Sequence, residues 1–335
     1  MCEKSSLAPE GQSQPLTAPC SKRRGPSSYH VNAGLSTVDR DGPSASPGGS
    51  RRSWRGGRHG PILRFPPARS PAVTNDAETP KLVPVADGFF VRQEIDNIAW
   101  VDLGGYAVVV DALEHPEKED EVFSALARTL GDVPVRYVLN THTHYDHVAL
   151  NPAFQRYFGA EIINQQIAPL GPEGRWFRGS RRSLHMLPAP GCHTEEDCVL
   201  WLPEDRALFV GDLFGWGLIP LTRALRNETA VLLLETYDRL LAYDAAVVVP
   251  GHGPLITSGE LRRWTEYFRW LVAETARLVV EGADDDGIRR QLAPPQDMRG
   301  WWRFLAWKHE DSVSKVLRAV RRGLLTVAAI QRGGS

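Results

Sequence analysis

Residues 141–147 read Thr-His-Thr-His-Tyr-Asp-His and follow directly after a short run rich in β-branched and aromatic residues. In an extended or tightly turning loop, alternate side chains point the same way. His142 and His144 can therefore present their imidazoles to one ion, while Asp146 and His147 turn toward another. Four such side chains are costly to bury inside a domain without a partner. The spacing predicts two adjacent metal ions.

Three further candidate ligands lie near the ends of later predicted strands. His193 stands in Gly-Cys-His-Thr, Asp212 directly follows a glycine, and His252 stands in Gly-His-Gly-Pro. Each preceding glycine lets the backbone turn sharply, so that the side chain after it can face a common site. Taken alone, each histidine is explained equally well as a core residue, and the aspartate as a turn or cap. Together with residues 141–147, the three complete two sets of ligands.

With these residues in place, the sequence resembles the metallo-β-lactamase-fold hydrolase superfamily. The resemblance spans residues 82–257, and the family's motifs occur in the family's order, beginning with Asp111 at a strand end. It implies an α+β fold, a four-layer αββα metallo-β-lactamase-like sandwich of two mixed sheets covered by helices. The site is then expected at the edge of the sheets, where the loops converge.

The resemblance also implies a role for each ligand. It assigns His142, His144 and His193 to the first metal and Asp146, His147 and His252 to the second, with Asp212 as the bridge. Asp111 is implied to support the ligand loop, since metal-bound imidazoles need orienting partners; capping of its own turn is the alternative. Asp146 is also the candidate catalytic residue, because a carboxylate beside a bridging water can accept or relay a proton.

The donor types limit the metal. Imidazole and carboxylate without thiolate suit Zn(II), and they also suit Fe and Mn. We expect two Zn(II) per chain. Cys192 adjoins His193, and Cys198 opens a predicted strand. Both are expected to be buried thiols rather than ligands.

Two metal ions that share a bridging water lower the pKa of that water toward neutrality and yield a hydroxide nucleophile. This chemistry predicts a hydrolase. True β-lactamases carry Cys or Ser where this chain has Asp212, so the pattern is closest to glyoxalase II-like thioesterases and related lactonases. Ala149 and Leu150 replace the two glycines of the glyoxalase II motif, which argues against a glutathione thioester. We therefore expect cleavage of a small-molecule ester, thioester, lactone or related bond.

Other functions stay open on the sequence. A mononuclear non-haem iron sulfur (persulfide) dioxygenase is the main alternative, because some members of the superfamily bind one iron through the positions of His142, His193 and Asp212. A nuclease or phosphodiesterase and a metal-stabilised binding module are weaker ones. Residues 1–80 carry 11 Lys+Arg and 6 Asp+Glu, which leaves 28 Lys+Arg and 34 Asp+Glu for residues 81–335. Because that body is acidic, it lacks the basic footprint of a nucleic-acid-binding protein, and a small-molecule substrate is expected.

The predicted domain organisation has three parts. Residues 1–80 contain 32 Pro, Gly and Ser and are predicted to be a disordered tail, with a targeting segment or an over-extended start as alternatives. Residues 81–257 are the predicted catalytic domain, and residues 258–335 a helical C-terminal extension. The tail shows no apolar core of a secretory signal, and the chain has no 20-residue apolar run. We therefore expect a cytoplasmic protein without a membrane span.

Alternating short apolar runs and amphipathic stretches predict the secondary structure. The predicted strands are 88–91, 98–101, 106–110, 135–140, 161–163, 198–202, 207–210 and 245–249. The predicted helices are 118–130, 151–158, 230–241, 259–281, 284–291 and 312–323. Aromatic residues spaced three to four apart in the extension, such as Trp264 and Phe268, predict a packed stripe. A homodimer contact is the other expectation for these aromatics.

Two loops are candidates for shaping the substrate. Residues 171–182 contain four arginines and are predicted to be a loop that clamps an anion, with a solvated basic loop as the alternative. Residues 213–220 follow Asp212 and are predicted to bring Phe214 and Trp216 to the mouth of the metal site. Plain core packing is the alternative for these two aromatic residues.

Overall fold

A computed structural model describes residues 80–215, 219–220, 223–298 and 306–332. Apart from Pro80, the predicted disordered tail lies outside the described residues. The same holds for the prediction made for Trp216.

The first sheet contains six strands whose spatial order follows the chain. They are β1 (Lys81–Ala86), β2 (Phe89–Gln93), β3 (Ile98–Asp102), β4 (Ala107–Val110), β5 (Val135–Leu139) and β6 (Glu161–Ile163). Strands β1 to β4 pair antiparallel, whereas β4, β5 and β6 pair parallel. Parallel neighbours need crossover connections. Two helices supply them, α1 (Glu119–Leu130) before β5 and α3 (Asn151–Phe158) before β6.

The second sheet contains five strands in the order β11-β10-β9-β8-β7. They are β7 (Arg175–Arg178), β8 (Ser183–Pro188), β9 (Cys198–Leu202), β10 (Ala207–Gly211) and β11 (Val247–Pro250). Strands β7 to β10 pair antiparallel, and β10 pairs parallel with β11 through the crossover helix α4 (Asn227–Ala242). Both sheets are therefore mixed.

Three apolar clusters hold the layers together. Between the sheets, the ring centroids of Phe89 and Phe209 lie 5.6 Å apart. On the outer face of the first sheet, residues of α1 and α3 pack against Trp100. On the outer face of the second sheet, α4 packs with α5 (Ser258–Val280) and α7 (Ala306–Arg321). This arrangement confirms the predicted four-layer αββα sandwich.

Three short helices complete the described chain: α2 (Tyr145–Val148), α6 (Asp285–Gln291) and α8 (Val327–Arg332). None of the described helices combines the length and hydropathy that a membrane-spanning helix needs.

Each predicted strand is present, with bounds that agree to within two residues. The prediction of a loop over residues 171–182 is wrong, because residues 175–178 form β7 with only Phe177 buried. Arginines on both sides of the aromatic residues concealed this edge strand. The predicted helix 312–323 begins at Ala306 instead. Its first turn includes the buried Lys308 and His309, which an apolar periodicity does not register.

Trp264 links the helical extension to the sandwich, since its ring stacks on Tyr237 of α4 at 4.2 Å and on Phe268 at 5.4 Å. Its side chain is buried. We expect Trp264→Ala to lower the free energy of unfolding by about 3–5 kcal/mol, because it removes these contacts and leaves a cavity. Urea denaturation measures the effect. The control Val280→Ala, at a site 87% exposed on the same helix, should change stability by less than about 0.5 kcal/mol.

Candidate metal centre

The predicted ligands come from loops at one edge of the sandwich. The loop 141–147 follows β5 of the first sheet, and α2 begins within it at Tyr145. In the second sheet, His193 lies between β8 and β9, Asp212 directly follows β10, and His252 follows β11. The structure brings the side chains of all seven predicted ligands together in two groups.

The first group contains three histidines and one aspartate, namely His142, His144, His193 and Asp212. Nδ1 of His144 lies 3.1 Å from Nε2 of His142 and 3.0 Å from Nε2 of His193. Nε2 of His193 lies 3.4 Å from Oδ2 of Asp212. All four donor atoms lie within 4.8 Å of one another, which suits four-coordinate binding of one ion.

The second group contains Asp146, His147, Asp212 and His252, again with donor atoms within 4.8 Å of one another. Nε2 of His252 lies 3.2 Å from Oδ2 of Asp146 and 3.1 Å from Oδ1 of Asp212. Nε2 of His147 lies 3.4 Å from the same Oδ1. Asp212 belongs to both groups and turns a different oxygen to each.

Hydrogen bonds on the outer side of three imidazoles fix which nitrogen faces inward. Nδ1 of His193 lies 2.8 Å from the carbonyl of Pro220, and Nδ1 of His252 lies 3.0 Å from the carbonyl of Ile95. Because a carbonyl only accepts, each Nδ1 carries the proton and donates. Nε2 is then left with its lone pair toward the group, as metal binding requires.

Asp111 orients the imidazole of His147 from its outer side. Its Oδ2 lies 3.0 Å from Nδ1 of His147, and its Oδ1 accepts a hydrogen bond of 2.8 Å from the backbone N–H of Thr141. The residue is buried at φ 60°, a conformation that aspartate and asparagine adopt more readily than most residues. Both carboxylate oxygens are thus directed at the ligand loop. This geometry matches the supporting role rather than a cap of its own turn.

We expect Asp111→Asn to weaken the binding of the second metal by about 10–100-fold, because the amide no longer orients and polarises His147 as a carboxylate does. Zinc competition with a chromophoric chelator measures the change. Asp244→Asn is the matched control, since Asp244 also has positive φ but lies on the surface. Equal affinities for the two variants would contradict the role given to Asp111.

The structure adds three residues that the sequence analysis did not select. Asp197 accepts a hydrogen bond of 2.6 Å from the backbone N–H of His193. The Nδ2 of Asn97 donates to the carbonyls of Pro250 and Gly253, and so holds both sides of the His252 turn. Asn140 donates to the carbonyl of His147 at 2.9 Å. Only Asp197 has a local signal, a threonine three residues before it that its carboxylate bonds.

Burial and the neighbouring charges shift the pKa values of the ligand side chains in different directions. Burial and then the neighbouring His147 hold the pKa of His142 at about 2, so this imidazole is neutral at pH 7. Burial also lowers the pKa of His252, but hydrogen bonds with Asp146 and Asp212 outweigh it and raise that pKa to about 9. Burial would raise the pKa of Asp146, yet its contact with His252 lowers it to about 2. Burial would likewise raise the pKa of Asp212, yet His147 and His252 hold it well below its usual range, so Asp146 and Asp212 are both ionised.

The donor atoms fit metal ions better than they fit one another. Nε2 of His147 is buried and makes no hydrogen bond of normal geometry within the described part of the chain. Leaving such an atom unsatisfied is costly. A divalent cation would satisfy it and would supply the positive charge that the two ionised carboxylates require, in place of protons on the histidines.

Two predictions about the neighbouring loops are wrong. Phe214 is buried, with its ring 6.4 Å from that of Tyr237, so it packs in the outer core and not at the mouth of the site. Two arginines of the predicted anion clamp are already paired: Arg181 bonds Asp87 and Asp102, and Arg182 bonds Asp205. These carboxylates lie 23 to 94 residues from the arginines in sequence, so the local pattern did not reveal them.

The predictions for Cys192 and Cys198 agree with the structure. Cys192 and Cys198 are buried free thiols, and neither belongs to a ligand group. Burial raises the pKa of Cys192 to about 11 and that of Cys198 to about 12. Both are therefore protonated at neutral pH.

Comparison with known proteins places this architecture among described families. The family model for the metallo-beta-lactamase superfamily matches residues 92–190 and 172–252. A hydroxyacylglutathione hydrolase from Methylococcus capsulatus is 31% identical over 142 residues, which cover 36% of this chain and 55% of that protein. A hydroxyacylglutathione hydrolase from Rhizobium meliloti is 28% identical over 196 residues, which cover 56% of this chain and 72% of that protein. The chain thus spans about half the length of the first of these relatives.

Among solved structures, the chain is similar to the stereoselective inverting sec-alkylsulfatase Pisa1 from Pseudomonas sp.. The TM-score is 0.55 at 13% identity, and the match covers 76% of this chain and 52% of that one. At this level of identity the likeness concerns the fold.

Proposed function

We propose that the protein is a binuclear metallohydrolase of small molecules, on the premise that residues 92–252 match the family model of the metallo-beta-lactamase superfamily. The bond that it cleaves is an ester, a thioester, a lactone or a related bond. The observation that carries the proposal is the pair of complete ligand groups that share Asp212. A site that holds two ions side by side suits the hydrolytic attack of water on a polarised carbonyl.

The proposed ligands are those named from the sequence. His142, His144 and His193 would hold the first ion, Asp146, His147 and His252 would hold the second, and Asp212 would be shared by both. We propose zinc for both positions, because the donors are imidazole nitrogens and carboxylate oxygens without thiolate. When bound, the two ions supply Lewis acidity and a water of lowered pKa at neutral pH.

The chain's own residues then divide the remaining work. Asp146 is half-buried and ionised, so its carboxylate can accept a hydrogen bond from water at the open side of the site and is placed to relay a proton. Asp111, Pro220 and Ile95 hold three imidazoles in the required tautomer. The buried surroundings of His142 and His252 exclude bulk water from the inner side. This rigidity keeps the donors in place throughout turnover.

The curated relatives support thioesters as the first substrates to test, since both are described as hydroxyacylglutathione hydrolases. Ala149 and Leu150 at the end of the ligand motif remain a difference from the glyoxalase II pattern. A thioester that lacks the glutathione moiety is therefore part of the panel. A homodimer and a cytoplasmic location stay predictions.

The test begins with elemental analysis of protein purified without added metal, followed by assays with thioesters, esters and lactones. About two zinc ions per chain and turnover of one of these classes would support the proposal. About one iron per chain, with oxygen consumption on a persulfide, would replace it by the dioxygenase. Two ions without turnover on any member of the panel would favour a metal-stabilised binding module.

A further inference from the structure

Three large apolar side chains remain exposed on loops that are bonded to the metal ligands or contain them. In the described part of the chain, eight large hydrophobic residues are exposed. Among them are Ile95, Tyr145 and Ile167, exposed by 51%, 60% and 64%. Hydrophobic residues scattered singly over a surface are ordinary and need no explanation. The position of these three, which we call the apolar rim, is different because each adjoins the candidate metal centre.

Ile95 adjoins the second ligand group. Its carbonyl accepts hydrogen bonds from Nδ1 of His252 at 3.0 Å and from the backbone N–H of Gly253 at 3.1 Å. A buried ligand thus holds the backbone of Ile95 in place while its side chain projects into solvent. The residue is anchored at the site and is not part of a loose loop.

Tyr145 stands between His144 and Asp146, at the start of α2. His144 is exposed and Asp146 half-buried, whereas His142 and His147 on either side are buried. The exposed members of the ligand loop therefore mark the open side of the site. Tyr145 lies on this side.

Ile167 adjoins the first ligand group through its neighbour Gln166. Nε2 of Gln166 donates to Oγ1 of Thr143 at 2.9 Å and to Oε1 of Glu196 at 2.6 Å. Thr143 lies between two ligands of the first group, and Glu196 follows His193 by three residues. The backbone N–H of Ile167 is itself fixed by Asn164 at 3.0 Å. The rim thus reaches the loops of both groups.

The charges beside the rim disfavour an anionic substrate tail. Glu196 presents a carboxylate next to Ile167. Apolar walls with few polar groups are typical of sites for uncharged organic ligands. Water is released when an apolar chain covers such side chains.

We propose that Ile95, Tyr145 and Ile167 bind an uncharged apolar chain of the substrate beside the metal centre. The substrate class is then an ester, thioester or lactone with a long aliphatic acyl chain. This inference rests on the proposed function for the nature of the cleaved bond. The binding of the apolar acyl chain is inferred independently of the proposed function.

Equilibrium binding of ketones that contain no hydrolysable bond tests the proposal without turnover. We expect 2-decanone to bind the metal-loaded protein at least about tenfold more tightly than 2-butanone, since each buried methylene adds affinity. We expect 9-oxodecanoate, which replaces the terminal methyl of 2-decanone by a carboxylate, to lose most of that gain. Isothermal titration calorimetry provides the dissociation constants.

Substitutions locate the binding. Ile95→Ser, Tyr145→Ser and Ile167→Ser should each reduce the ratio of the two ketone affinities by about threefold, and the triple variant should bring it close to one. Val280→Ser, at an equally apolar and 87% exposed site on α5, should leave the ratio unchanged. Each rim residue is exposed by half or more, so the variants are expected to fold.

The outcomes separate the two proposals. Equal affinity for short and long ketones, or a ratio that the rim variants do not change, would overturn the apolar rim. Tight binding of 2-decanone by a protein that hydrolyses no member of the panel would leave the rim standing and overturn the proposed function. Hydrolysis restricted to short or charged acyl groups would support the proposed function and overturn the apolar rim.

Discussion

Asp212→Ala is expected to reduce the metal content from two ions per chain to one or none and to lower kcat/KM by about 10³-fold or more. Asp212 is the single residue that belongs to both ligand groups of the described chain. Its Oδ2 lies 3.4 Å from Nε2 of His193, and its Oδ1 lies 3.1 Å from Nε2 of His252. The substitution therefore removes one donor from each ion and the negative charge between them.

Elemental analysis and steady-state kinetics measure this effect, and circular dichroism checks that the helical content is kept. Asp102→Ala is a matched control, because Asp102 is also buried but pairs with Arg181 away from the ligands. That variant should keep two ions and most of the activity. If Asp212→Ala still bound two ions, the assignment of the bridging ligand would be wrong.

Gly251→Ala is the second change with a large expected effect. A Cβ at this position would lie 2.2 Å from Oδ1 of Asp212 and 2.9 Å from Cε1 of His147. Neither side chain can give way, because Asp212 and His147 are buried and Asp111 holds the far side of the imidazole. We expect the second ion to be lost and kcat/KM to fall by about 10²-fold or more, since small displacements of reacting groups are costly.

The same metal analysis and kinetics apply to this variant. Gly171→Ala provides the comparison, because a Cβ there meets no atom within 4 Å and its φ is not positive. It should behave like the unchanged protein in metal content and activity. A Gly251→Ala protein with two ions and full turnover would show that the ligands tolerate displacement and would contradict the rigid site.

The strands that the sequence revealed are those in which apolar side chains face both sides. β4, with all four residues buried, and β10, with all five, read as unbroken apolar runs. β1 was missed because Pro84 and an exposed start weaken the pattern. Proline is tolerated there because β1 is an edge strand, with a bulge between Pro84 and Ala86. β7 and β8 were missed as well, because in both strands polar or charged residues alternate with the buried apolar ones.

The candidate ligands were predictable for a similar reason, because each stands at the end of a predicted strand or just before one. Their partners were not. Asn97 holds the carbonyls of Pro250 and Gly253 from 153 and 156 residues away. Phe214 follows a ligand in sequence but turns into the core between the second sheet and α4. Contacts across the sandwich depend on the closed fold, and local patterns do not report them.

The distribution of the ligands along the chain also sets an order of events during synthesis. The last donor of the first group is Asp212, whereas the second group ends with His252, forty residues later. The turn that carries His252 is held by Asn97 and Ile95 from the other end of the domain. Proteins emerge from the ribosome N-terminus first. The nascent chain therefore completes the first ligand group before the second, and only the finished sandwich holds both groups in place.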